Sequence, residues 1–157
     1  MHDARVKLLI VDDEVSIRTS LSQLFSELGY CVRSATDGRS ALSEIRREIP
    51  EILLSDLNMP GMSGFEFLPV VRRELPAIHV IAMSGAFSGT CVPPGVVADA
   101  FIAKGSDPAL LIKTVESMTQ PEHTLSRQRS MEYPTRISTS RAVPLSSVGA
   151  VSQSAGS

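Results

Sequence analysis

Glu51-Ile52-Leu53-Leu54-Ser55-Asp56-Leu57-Asn58-Met59-Pro60-Gly61 opens as a short apolar run and closes in a carboxylate and a tight turn. A run of this length and composition reads as a strand buried on both faces. Pro60 presets one turn dihedral and Gly61 accepts the others, so the chain must reverse just after Asp56 and Asn58. In open α/β sheets, chemistry gathers at the carboxyl ends of strands. Asp56 occupies such a place. Its plainer role would be to cap the next helix.

Outward from this strand, the same punctuation recurs. Val6 to Val11 is a β-branched run ending in Asp12-Asp13-Glu14. Val15, Ile17, Leu21, Leu24, Phe25 and Leu28 form a helical stripe that stops at Gly29. Tyr30 to Ala35 is a second strand, and Ala41, Leu42 and Ile45 mark a helix ending before Pro50. Beyond the central strand, Gly64 to Leu75 has helical spacing, with Pro69 expected to kink or shorten it. Ala77 to Met83 runs into Ser84-Gly85, and Ala100 to Ala103 into Lys104-Gly105. Asp107 caps a last helix from Pro108 to about Met118.

Such alternation predicts a parallel sheet with helices on both faces. The strand ends then align Asp12, Asp13, Asp56, Ser84 and Lys104 on one edge. Crowded carboxylates repel one another unless a cation sits among them, and hard oxygen donors suit Mg²⁺. A lysine and a serine hydroxyl are fitted to the oxygens of a phosphoryl group. A carboxylate is itself a competent nucleophile towards phosphorus. Taken singly, the acidic pair is a charged first helical turn, Ser84-Gly85 a turn and Lys104 a solvated cation. Their coincidence at one edge argues for a site.

From about Lys7 to Met118, about three quarters of the chain, the sequence resembles the receiver domains of two-component response regulators, in particular stand-alone receivers of the chemotaxis-regulator kind. The resemblance rests on Val11-Asp12-Asp13-Glu14, Asp56-Leu57-Asn58-Met59-Pro60-Gly61-Met62-Ser63-Gly64, Met83-Ser84-Gly85-Ala86 and Phe101-Ile102-Ala103-Lys104, in this order and at these spacings. It implies a flavodoxin-like (βα)5 doubly wound parallel sheet, strand order 2-1-3-4-5. It makes Asp56 the phosphoacceptor, Asp13 a direct Mg²⁺ ligand, Asp12 a ligand through water, and Asn58 a ligand through its main-chain carbonyl. Lys104 would pair with the phosphoryl oxygens. Ser84 and Phe101 would be the switch pair that answers phosphorylation. The implied partners are a sensor histidine kinase or phosphotransfer protein and an output protein reached by protein–protein contacts.

Three departures stand out. Gly105 follows Lys104 where relatives usually carry proline, so a looser lysine loop is expected. The segment 87–99 contains Pro93-Pro94 and two glycines, so the fourth helix should be shortened or missing, with a loop and at most a short helix near Val96. Gly85 and Ala86 are small and leave the pocket beside Ser84 open.

From about Gln120 the composition changes: residues 121–157 hold 12 Ser or Thr and four Arg. The expected organisation is a receiver over 5–119 and a disordered Ser/Thr-rich tail over 120–157. A docking segment and a truncated linker are the alternatives for that tail. Net charge of −2 and the lack of a long apolar stretch argue against nucleic-acid or membrane binding and for a cytoplasmic protein. Cys31 and Cys91 have neither disulfide-framework nor metal-ligand spacing. The chain is read as a signalling module, not an enzyme. Phosphohydrolases of the haloacid dehalogenase type carry a second Asp two residues beyond the nucleophile, where this chain has Asn58. The remaining alternative is a degenerate receiver that binds partners independently of phosphorylation.

Overall fold

The computed structural model describes residues 5–120 apart from positions 88 and 90. The expectations for the tail, 121–157, lie outside the described residues. Among the described residues there are five strands and four helices: β1 (Lys7–Val11), α1 (Val15–Glu27), β2 (Cys31–Ala35), α2 (Gly38–Arg47), β3 (Ile52–Asp56), α3 (Gly64–Glu74), β4 (His79–Ser84), β5 (Ala100–Ala103) and α4 (Pro108–Met118). All strand pairs are parallel, in the order β2-β1-β3-β4-β5.

The sheet separates two cores. Leu9, Val11, Leu53, Val80 and Ala82 point to one side with Phe67, Leu68 and Val71 of α3 and Ala41 and Ile45 of α2. Leu8, Ile10, Leu54, Ile81 and Met83 point to the other with Phe25 of α1 and Leu111, Val115 and Met118 of α4. Every residue of β3 and β4 is buried. Two-sided burial explains why those strands read as continuous rather than alternating apolar runs. Among the described residues, no helix is long and apolar enough to cross a membrane.

Local chemistry sets the boundaries. Gly29 ends α1 at φ 97°, a left-handed conformation open to glycine without steric cost. Asp37 and Ser40 make a reciprocal capping box at the start of α2, and Asp107 accepts from the Ala109 N–H at 2.9 Å to start α4. Tyr30, expected to open β2, stands just outside it and packs edge-on against Phe25 at 5.5 Å.

Two features differ from or sharpen the sequence reading. Pro69 sits inside α3 without interrupting it. Proline removes the N–H that would bond the Phe65 carbonyl, and both Phe65 and Pro69 are solvent-exposed. The connection from β4 to β5 contains no helix among its described residues. Near Val96 there is only a turn, closed by the Val96 N–H on the Pro93 carbonyl at 3.1 Å. In place of a helix, Val92, Val96, Val97 and Ala98 pack directly on the core. The segment is pinned at its end, where Asp99 Oδ2 accepts from Val80 N at 2.7 Å and Arg72 Nη2 at 2.9 Å.

Candidate functional site

The sheet register brings three strand ends level. Val11 pairs with Ser55, Asp56 with Met83, and Ser84 with Ala103. The residues that follow β1 and β5, Asp12 and Lys104, therefore reach the same edge as Asp56 and Ser84. Lys104 is fixed there by its main-chain N–H on the Ser84 carbonyl at 2.9 Å.

Asp12, Asp13 and Asp56 each place a carboxylate oxygen within 4.8 Å of the others. Asp12 and Asp56 are buried, at 0% and 2% exposure, whereas Asp13 faces solvent. The Asp12 carboxylate is partly committed, because its Oδ1 accepts the Glu14 N–H at 2.8 Å. Its Oδ2 is buried and lies 2.9 Å from Lys104 Nζ.

Lys104 Nζ also stands 3.1 Å from Asp56 Oδ2 and 3.6 Å from Glu14 Oε1. Burial alone pulls the lysine pKa down, but the close contacts and charges of Asp12 and Asp56 outweigh it and raise it above 10.5. It remains a cation. Burial pushes the Asp56 carboxyl above 3.8, against the lowering effect of Lys104 and of the Asn58 N–H. Desolvation thus makes Asp56 an ion that gains from further positive charge.

Ser84 is fully buried. Its Oγ accepts from Asn58 Nδ2 at 2.8 Å and from the Ala86 N–H at 3.0 Å. Asn58 also donates its main-chain N–H to Asp56 Oδ1 at 3.2 Å. Phe101 lies outside this polar group. It is buried in the core at 1% exposure, with Phe87 edge-on at 6.3 Å. Gly105 adopts φ 91°, which proline, locked near −65°, cannot reach. The loop after Lys104 is closed by the Ser106 N–H on the Ala103 carbonyl at 3.2 Å.

The loop after Asp56 is held tightly. Gly64 N–H donates to the Leu57 carbonyl at 3.0 Å. A Cβ on Gly64 would fall 2.6 Å from the Asp56 carbonyl oxygen, so only glycine allows α3 to start this close to the strand end. Sequence reasoning missed this packing role, the approach of Glu14 to Lys104, and Arg18, whose Nη1 donates to the Asp12 carbonyl at 2.8 Å. The position of Arg18, one helical turn after the acidic run, was the available signal.

The family model described as response regulator receiver domain matches residues 8–116. Among curated proteins, the chain is 37% identical over 114 residues to a probable transcriptional regulator, ycf27, from Porphyridium aerugineum, covering 71% of this chain and 47% of that one. The chain therefore spans about half the length of that relative. Among solved structures it resembles the chemotaxis response regulator CheY4 of Vibrio cholerae, at 31% identity and TM-score 0.64 over 73% of this chain and 99% of that one. It also resembles the response regulator TrrA of Thermotoga maritima, solved in complex with Mg(2+)-BeF, at 27% identity and TM-score 0.66 over 72% and 98%. TrrA has also been solved in complex with the histidine kinase ThkA; that structure matches at 27% identity and TM-score 0.67, over 73% and 99%.

Proposed function

Because this chain belongs to the response-regulator receiver family, we propose that it accepts a phosphoryl group on Asp56 and signals the change through protein contacts. The observation that carries the reading is the ion pair of Asp56 Oδ2 and Lys104 Nζ at 3.1 Å, set among the carboxylates of Asp12 and Asp13. An Asp56 oxygen attacks phosphorus, and the phosphorus–nitrogen bond of a phosphohistidine breaks with its electron pair left on the imidazole. Lys104 supplies a fixed positive charge to the transferring oxygens.

Receiver domains bind Mg²⁺ at acidic residues, and the donor set here fits that ion. The buried Asp12 Oδ2 meets the Lys104 ammonium at 2.9 Å and takes no other donor among the described residues, and Asp13 faces solvent. Asp12, Asp13, Asp56 and Asn58 would hold the ion. When bound, it offsets negative charge at the attacked phosphoryl group.

Ser84 would then donate to a phosphoryl oxygen, with Phe101 the aromatic partner of the switch. Phosphorylation adds close to two negative charges and biases an equilibrium between inactive and active surfaces. The donor would be a histidine kinase or phosphotransfer protein; TrrA in complex with ThkA supports this class of partner. We assign residues 5–119 to the receiver and 120–157 to an appended Ser/Thr-rich tail.

A second reading, a receiver that binds partners without being phosphorylated, is favoured by the segment between β4 and β5, which holds no helix among its described residues. Intact mass after incubation with acetyl phosphate decides between them. A Mg²⁺-dependent adduct on wild type and none on Asp56→Asn supports the first. A folded wild type that takes no adduct supports the second.

A further inference from the structure

We infer that Asn58 is a positioning residue for Ser84: its side-chain amide forces the buried serine hydroxyl to act as a donor towards the group on Asp56. The inference rests on the reading of Asp56 as phosphoacceptor, and goes beyond it by giving the Asn58 side chain a task separate from any main-chain role.

A serine hydroxyl has two acceptor lone pairs and one proton to donate. Both lone pairs of Ser84 Oγ are engaged, by Asn58 Nδ2 at 2.8 Å and by the Ala86 N–H at 3.0 Å. Only the proton is left. Ser84 has no solvent exposure, so bulk water offers no easy alternative, and a buried unmet donor is costly. A phosphoryl oxygen arriving at Asp56 satisfies it. Asn58 binds both partners at once, since its main-chain N–H holds Asp56 Oδ1 at 3.2 Å. One residue thereby sets the relation between the carboxylate and the hydroxyl. Without the amide, one lone pair is freed and the hydroxyl turns without preference between donating and accepting.

The test is a double-mutant cycle on the full chain with acetyl phosphate at saturating Mg²⁺, following the rate of adduct formation. Asn58→Ala is expected to slow it about fivefold, the scale of one net hydrogen bond. In a Ser84→Ala background the same substitution should change the rate less than twofold, because the hydroxyl it orients is gone. Equal effects in both backgrounds overturn the inference. A second arm uses the unphosphorylated protein: the side-chain NH₂ resonances of Asn58 should shift and exchange faster in Ser84→Ala, and unchanged resonances also overturn it. A wild type that forms no adduct overturns the phosphoacceptor reading itself, which separates that failure from this one.

Discussion

Lys104 Nζ lies 3.1 Å from Asp56 Oδ2, although the two residues reach the site from strands separated by β4 in the sheet. The same ammonium sits 2.9 Å from Asp12 Oδ2, so one cation balances two buried carboxylates. Removing it leaves both without compensation. Lys104→Ala should lower unfolding free energy by about 2 kcal/mol in chelator, read from urea denaturation, and added Mg²⁺ should recover most of that loss. Phosphorylation-dependent signalling should suffer more than the fold. A loss unaffected by Mg²⁺ would mean that the carboxylates are not what Lys104 stabilises.

Mg²⁺ itself should raise the melting temperature of wild type, since binding only the folded state stabilises it by mass action. Asp13 faces solvent, so Asp13→Ala should alter metal-free stability by less than about 0.5 kcal/mol. It should nevertheless remove most of the Mg²⁺-induced rise. Thermal scans across a Mg²⁺ titration measure both effects, and an undiminished rise in the variant would exclude Asp13 as a ligand.

Gly64→Ala should disturb the site from behind. The added methyl would meet the Asp56 carbonyl oxygen at 2.6 Å and Leu57 Cα at 2.7 Å, both backbone atoms with little room to yield. Overpacking of this kind costs about 1–3 kcal/mol. Gly61→Ala, with nothing within 4 Å, isolates the separate cost of a positive φ. Denaturant midpoints for the pair check the comparison, and equal midpoints would argue against the close packing.

Asp37 carries a pH signature. Hydrogen bonds, first that from the Ser40 N–H, hold its carboxyl below 3.8. A folded-state pKa below the unfolded one contributes stability that is present above about 3.8 and lost as pH falls through the lower folded value. Asp37→Ala should therefore cost about 1 kcal/mol at pH 7, as for loss of a helix N-cap, and progressively less below pH 3.8. Unfolding curves at several pH values would show the two proteins converging in acid. A gap that widened there would reverse the assigned sign.

Much of the architecture was legible because each buried strand ends in a residue that an apolar run does not tolerate. Asp12, Asp56, Ser84 and Lys104 mark those ends in the chain, and the parallel register then brings them to one edge. The lack of a helix among the described residues between β4 and β5 was legible too, since Pro93-Pro94 and two glycines prevent a long one. Pro69 stays within α3 at an exposed position, which periodicity alone does not reveal. The Asn58–Ser84 bond joins residues 26 positions apart through side-chain direction. That is a product of packing and has no local pattern.

The most direct test is to locate the phosphoryl group. After exposure to acetyl phosphate and Mg²⁺, borohydride reduces an aspartyl phosphate to homoserine, and peptide mass spectrometry places the change. Homoserine recovered at position 56 alone, and lost when Mg²⁺ is chelated, is the predicted result. Homoserine at position 12 or 13, or at none of the aspartates in a folded protein, would contradict it.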